Sequence, residues 1–217
     1  MGISYLFDFD GTLVDSMPHY VATMLRILEE NRISYPDDIV RIITPLGAGG
    51  AARYFIEQLG LNMEVDQVRE LMGKYILDAY VHTIPAKPHV IAALKELKQR
   101  GASLNVLTAS PHVVLDPCLK RLGLWELFDN IWSCEDFDTT KTDPEIYRRA
   151  ARRLNTTVEK VLFLDDNYHA DKAAKTAGML VCGVYDATSD NDAEEIKAVS
   201  DFYISDFTQL LSLNMEA

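Results

Sequence analysis

The chain opens on Ile3-Ser4-Tyr5-Leu6-Phe7, a short, β-prone and uncharged run, and breaks off into Asp8-Phe9-Asp10-Gly11-Thr12. Such a run fits a strand buried on both faces, the condition of strands in a parallel sheet. Two carboxylates two residues apart then stand at its carboxyl end, where open α/β sheets place their ligands. Gly11 lets the chain turn away at once. Paired acids in this position suit nucleophilic and acid/base work on an anion, provided a cation neutralises them.

Downstream the pattern splits in two. From Pro18 to Tyr80 the chain reads as almost entirely helical: Val21, Met24, Leu25 and Leu28 recur at helical spacing, and the stretches 51–59 and 68–80 repeat the pattern. Breaks fall at Pro36, across Pro45-Leu46-Gly47-Ala48-Gly49-Gly50, and at Gly60. Thr83-Ile84-Pro85-Ala86-Lys87-Pro88 reads as a stiff connector. Beyond it helices over 90–98, 113–122, 145–154 and 170–177 alternate with strands over 104–107, 131–132, 161–164 and 180–184. The alternation predicts an α/β fold with a doubly wound parallel sheet, interrupted after its first strand by an all-helical block over residues 16–84.

At 217 residues the chain suffices for one such domain, or for a core with a small inserted module. A net charge of −12 argues against a nucleic-acid partner and means that any anionic substrate, a phosphate included, would have to be drawn in locally by a metal and a few cations. No apolar run approaches the ~20 residues that a membrane span needs. No basic segment with a cleavage site opens the chain. Cys118, Cys134 and Cys182, odd in number and without a CxxC pair, fit a reduced, cytoplasmic protein. The cluster Arg148, Arg149, Arg152 and Arg153 reads as a solvated helix face.

Three further segments hold chemistry-bearing residues. Leu104-Asn105-Val106-Leu107-Thr108-Ala109-Ser110 ends a strand on a hydroxyl, which by itself fits a cap for the next helix. Lys141-Thr142-Asp143-Pro144-Glu145-Ile146-Tyr147 sets a lysine before a helix, where a solvated role is the ordinary one. Val161-Leu162-Phe163-Leu164-Asp165-Asp166-Asn167 ends a strand on adjacent acids, followed by Asp171 and a helix that closes on Ala177-Gly178. Asp165 alone would serve as a turn residue, and Asp171 as a first-turn acid that offsets the helix dipole. Hard oxygen ligands without a His or Cys cluster point to Mg²⁺ rather than Zn²⁺. His19, His82, His89, His112 and His169 lack HExxH spacing and read as structural or solvated.

In this order the segments resemble the motifs of the haloacid dehalogenase-like (HAD) superfamily, in its helical-cap, phosphoglycolate phosphatase-like subclass. The first matches DxDGT. The third resembles Lys-Pro-x-Pro-Asp, with Pro144 at the second proline and Thr142 in place of the first. Many relatives carry Asn where this chain has Ala109, so a backbone N–H would replace that side chain. The resemblance implies a Rossmann-like core over 1–15 and 85–217 with a cap over 16–84. It also implies a Mg²⁺-dependent phosphatase acting on a small phosphorylated metabolite. Asp8 would be the nucleophile and Asp10 the acid and base, with Thr108, Ala109 and Lys141 on the phosphoryl group. The metal would sit on the Asp8 side chain, the Asp10 carbonyl and Asp166, with Asp165 and Asp171 orienting it. Dehalogenases of this superfamily lack the second aspartate of the first motif, so Asp10 favours phosphoryl transfer.

Gly47, Gly49, Gly50 and Arg53 resemble the substrate-facing cap loop of such enzymes; a flexible helix–helix connection is the other reading of the same residues. A β-phosphoglucomutase-type transferase shares the core and cap. Its cap histidine would align one place after His19, an offset of about 100° around a helix. A catalytically silent phosphate-sensing scaffold is the alternative outside enzymology.

Overall fold

The computed structural model describes residues 2–43 and 46–214. The chain divides into two compact units, one of residues 1–15 and 85–217 and one of residues 16–84.

The first unit is a doubly wound α/β layer structure. Its elements are β1 (Ser4–Phe7), α5 (Val90–Gln99), β2 (Ser103–Thr108), α6 (His112–Arg121), β3 (Asn130–Ser133), α7 (Pro144–Arg153), β4 (Val161–Asp165), α8 (Tyr168–Ala177), β5 (Leu180–Val184), α9 (Ala193–Val199) and β6 (Phe202–Ile204), while α1 to α4 belong to the second unit. Among the described residues these strands form one sheet in the order β3-β2-β1-β4-β5-β6, parallel throughout. The winding reverses between β1 and β4, and a crevice opens outside the carboxyl ends of the strands at such a switch point. Register sets what meets there: Phe7 pairs with Val106 and with Leu164, Thr108 with Ser133, and Asp165 with Gly183. Asp8, Thr108 and Asp165 therefore end neighbouring strands at one edge.

Alternating strand residues supply two apolar faces. On one, Leu6, Leu107, Phe163 and Val181 pack with Ile146, Tyr147 and Ala150 of α7 and Ala170, Ala173 and Ala174 of α8. On the other, Phe7 packs against Phe128 and Phe207. The expected arginine face is only partly solvated. Arg153 donates to the Asp136 carbonyl at 2.7 Å, and its guanidinium lies 3.8 Å from the Phe137 ring centre. The two passages between units are zipped where they enter the sheet unit: Val14 bridges Ala86, Asp15 N–H donates to Pro85 O at 3.0 Å and Lys87 N–H to Leu13 O at 3.0 Å. The α9 and β6 pair extends the sheet beyond the elements expected from sequence.

The second unit holds α1 (Met17–Glu30), α2 (Ile39–Ile43), α3 (Gly47–Glu57) and α4 (Val65–His82), packed around Ile27, Leu28, Ile43, Ala52, Phe55 and Val68. Here the sequence reading needs correction. The glycine-rich stretch is not a loop: Gly47, Gly49 and Gly50 form the start of α3, which begins four residues before the expected 51–59 helix. Gly47 opens the helix at φ +62°, where glycine is favoured, while Gly49 and Gly50 cost it roughly 1 kcal/mol each. Burial of Ala51, Ala52 and Phe55 on one face of the same helix offsets that cost, as tertiary packing commonly does. At Gly50 a Cβ would lie 2.7 Å from the Leu46 Cβ, so the missing side chain is what lets Leu46 fold over the turn. Thr44 and Pro45, the latter read above as a break, lie outside the described residues. Among the described residues no helix is long and apolar enough to cross a membrane.

Candidate active site

Asp8 leaves β1 with its N–H bonded to Leu164 O at 2.8 Å, so the first strand and β4 hold its backbone jointly. Its side chain is buried, and Lys141 Nζ lies 2.6 Å from Asp8 Oδ1 and 2.7 Å from Asp165 Oδ2. Lys141 is not a solvated loop residue. The Tyr147 hydroxyl, one helix turn into α7, donates to the Lys141 carbonyl at 2.8 Å and has Ala170 O 3.1 Å away. Asp143 caps α7 by accepting from Glu145 N–H at 2.9 Å. The lysine is thus set by the helix that follows it.

Asp8, Asp165 and Asp166 form a buried group whose carboxylate oxygens lie within 4.8 Å of one another. Burial pushes Asp8 up to about 7, with Lys141 opposing and Asp165 and Asp10 adding to the rise. Burial likewise lifts Asp166 to about 7, helped by the charge on Asp8, and Asp165 to about 6 against the pull of Lys141. Burial alone would lower Lys141; Asp165 and Asp8 outweigh it and hold its pKa well above the ordinary lysine value. Three carboxylates surround one ammonium, which pairs directly with two of them. An all-oxygen, acid-rich cluster with that imbalance has the donor chemistry of a Mg²⁺ or Mn²⁺ site.

Gly11 explains how the cluster closes. It adopts φ +74°, and a Cβ there would lie 2.6 Å from the Asp166 carboxylate, so only glycine admits that approach. Thr12 Oγ1 then donates to Asp166 Oδ1 at 3.2 Å, and Ser189 Oγ donates to Oδ2 at 3.0 Å. The Asp10 side chain is directed elsewhere, accepting a hydrogen bond from Ser110 Oγ. Thr108 is buried and its Oγ1 accepts from Ser110 N–H at 3.0 Å. It does not cap the next helix, since α6 starts after Pro111 with no side-chain cap. Ala109 is exposed at this edge.

The remaining candidates are distributed differently. Asp165 Oδ1 accepts from Asn167 N–H at 2.9 Å, so its turn role and its place in the cluster coexist. Asp171 does lie in the first turn of α8, yet it is fully buried and outside the three-acid group. Burial, with Asp165 next, pushes its pKa well above the carboxylate range. Gly49 and Arg53 belong to the helical unit, Arg53 on an exposed position of α3. Sequence reasoning missed Ser110, Ser189, Lys87 and Asp186. Ser110 had a usable signal, two residues past a strand-end hydroxyl; a serine or lysine in a loop has none.

Residues 5–184 match the haloacid dehalogenase-like hydrolase family. The chain belongs to this family. Among haloacid dehalogenase-like proteins it is 28% identical over 189 residues to a phosphorylated carbohydrates phosphatase of Thermotoga maritima, covering 87% of this chain and 88% of that one. It is also 28% identical over 218 residues to a phosphoglycolate phosphatase of Pasteurella multocida, covering 95% and 96%. A Thermotoga maritima structure provisionally named beta-phosphoglucomutase superposes with a TM-score of 0.86 at 26% identity, covering 98% and 97%. The curated relatives named here are phosphatases within a family of hydrolases.

Proposed function

We propose that this haloacid dehalogenase-like phosphatase hydrolyses a small phosphomonoester through a covalent phosphoenzyme on Asp8. The observation that carries the reading is the lysine-bridged, acid-rich cluster at the end of β1, with Asp10 held apart from it by Ser110. Asp8 attacks phosphorus in line, and the bond to the substrate's alcohol oxygen breaks as Asp10 protonates that oxygen. Asp10 then takes a proton from water, which attacks the phosphorus of the aspartyl-phosphate. Inorganic phosphate leaves and Asp8 is restored as a carboxylate. Lys141 opposes the protonation of Asp8 that burial favours and meets the phosphoryl oxygens as a compact charge. The Thr108 hydroxyl, whose oxygen already accepts from Ser110, has its own hydrogen to donate to them, and the Ala109 N–H is a second donor.

Mg²⁺ fits the donor set, on the Asp8 side chain, the Asp10 carbonyl and Asp166. Asp165 is engaged on both oxygens, by Lys141 and by Asn167 N–H, whereas neutral hydroxyls hold Asp166, which favours Asp166 as the ligand and Asp165 as its support. When bound, the cation supplies charge neutralisation at the transferring phosphoryl group. Gly49 and Arg53 are the residues we assign to substrate choice, a guanidinium being suited to a carboxylate or sugar oxygen. The phosphoglycolate phosphatase and carbohydrate phosphatase relatives support a small phosphorylated acid or sugar as the substrate class.

The test is a phosphate-release screen over small phosphorylated acids and sugars, with Mg²⁺ and with EDTA. Release in Mg²⁺ that stops in EDTA is expected; full turnover in chelator contradicts the assignment. The beta-phosphoglucomutase likeness keeps a transferase reading in play. NMR of glucose 1-phosphate incubated with enzyme separates isomerisation from hydrolysis.

A further inference from the structure

Among the described residues Asp166 pairs with no ammonium or guanidinium of its own. Its two oxygens are held by hydroxyls from segments far apart in the chain: Thr12 in the turn after β1 and Ser189 in the turn after β5. A single side chain joins these segments. Lys87 Nζ lies 2.6 Å from Gly11 O, 2.7 Å from Tyr185 O and 3.0 Å from Asp186 Oδ2, so each of its three N–H bonds has an acceptor. Gly11 adjoins Thr12. Asp186 caps the turn that carries Ser189, accepting from Thr188 N–H at 2.9 Å and Thr188 Oγ1 at 2.5 Å through Oδ1, and from Ser189 N–H at 3.1 Å through its carbonyl. The clamp is shielded: the side chains of Lys87 and Asp186 are 15% and 6% exposed. The Lys87 backbone is also fixed, by its bond to Leu13 O.

We propose that Lys87 is a positioning residue for Asp166. Its ammonium sets the spacing of two backbone segments, those segments aim the Thr12 and Ser189 hydroxyls, and the hydroxyls fix the carboxylate that receives the divalent cation. Lys87 touches neither substrate nor cation. The inference rests on Asp166 being a cation ligand, as argued above. A lysine that only braced the two turns would predict the opposite sign for one observable. Removing a positive charge near a divalent-cation site tightens cation binding by Coulomb's law, whereas releasing an aimed carboxylate weakens it.

The experiment is Mn²⁺ binding to substrate-free enzyme, followed by electron paramagnetic resonance, alongside thermal unfolding of each variant. Lys87→Met is expected to weaken Mn²⁺ binding by about tenfold, the low end for loss of an outer partner of a metal ligand. Ser189→Ala is expected to weaken it a few-fold, and the double variant to bind no worse than Lys87→Met, because the serine acts through the same clamp. Unchanged or tighter binding by Lys87→Met, whatever its unfolding temperature, overturns the proposal. If Lys87→Met does not fold, Ser189→Ala decides, and wild-type affinity in that variant overturns it. Asp166→Asn separates the two layers. If it binds Mn²⁺ as the wild type does, the ligand assignment itself fails. If it loses Mn²⁺ while the Lys87 and Ser189 variants keep it, only the clamp fails.

Discussion

The two units treat charge in opposite ways. The sheet unit buries Asp8, Asp165, Asp166, Asp171 and Asp186 and sinks Lys87 and Lys141 among them. The helical unit buries no charged side chain among its described residues. Its ion pairs, Arg26–Glu30, Arg41–Asp38, Arg69–Asp66 and His82–Asp78, join positions three or four apart on exposed helix faces, where such pairs contribute little. Burying a charge costs more than its pairing usually returns, so a chain keeps buried charges where chemistry needs them. This contrast supports the proposal that the sheet unit carries the reaction. The helical unit is a packed scaffold with exposed charged faces, to which the proposal assigns substrate choice.

The sharpest way to break that division is to remove charge from the buried cluster. Asp8→Asn should lower kcat by roughly 10⁴-fold or more, since no other group in the account attacks phosphorus. Lys141→Met should follow with about 10²- to 10³-fold, the scale of losing a charged stabiliser of the transferring group. It should also lower the unfolding temperature, because Asp8 and Asp165 lose their shared cation. Steady-state assays and calorimetry check both. A Lys141→Met enzyme with wild-type kcat would mean that the ammonium serves folding alone.

Arg53→Ala probes the other side of the comparison. It should cut kcat/KM for the best metabolite by about ten- to a hundredfold, as expected for one charged hydrogen bond. p-Nitrophenyl phosphate, which has no distal group to be read, should be barely affected. Equal losses on both substrates would assign Arg53 to folding or closure and blur the division of labour.

A smaller effect follows from the raised carboxyls. Asp8 and Asp166 sit at about 7 in the folded protein against an ordinary 3.8. Between those values the folded state holds more protons than the unfolded one, so metal-free stability falls as pH rises through that window and levels off above it. Mg²⁺ must displace the same protons. Its apparent affinity should climb with pH by up to about tenfold per unit for each proton released, and flatten above about pH 7. Calorimetric titrations across that range would show it. A flat affinity would show that the cation binds away from this cluster.

The same contrast governs what could be read in the sequence. The succession of β1 to β5 along the chain and three of the four chemical segments were legible because unusual residues end apolar runs: acids after Phe7 and Leu164, a hydroxyl after Leu107, and glycines closing helices at Gly101, Gly123 and Gly178; the Lys141 segment stood out only by its resemblance to a family motif. The α3 start was not, because three glycines within four residues argue for a loop and only the packing of Ala51, Ala52 and Phe55 overrules them. β6 has three residues, too few for a period to show. Lys87 and Ser189 are ordinary loop residues whose meaning arises only when winding brings Gly11 and Asp166 to them.

In the proposed mechanism Asp8 forms a covalent intermediate and Asp10 moves protons in two separate steps. Asp10→Ala with p-nitrophenyl phosphate isolates those steps, because a leaving group of pKa about 7 needs little protonation while hydrolysis of the aspartyl-phosphate still needs a base. Rapid-quench kinetics with intact-mass detection should show a nitrophenol burst approaching one per active site, followed by near-arrest with the protein phosphorylated. Asp8→Asn should show neither, and an alkyl phosphate should give no burst with Asp10→Ala. Undiminished steady turnover by Asp10→Ala, without accumulation of phosphoprotein, would contradict the account.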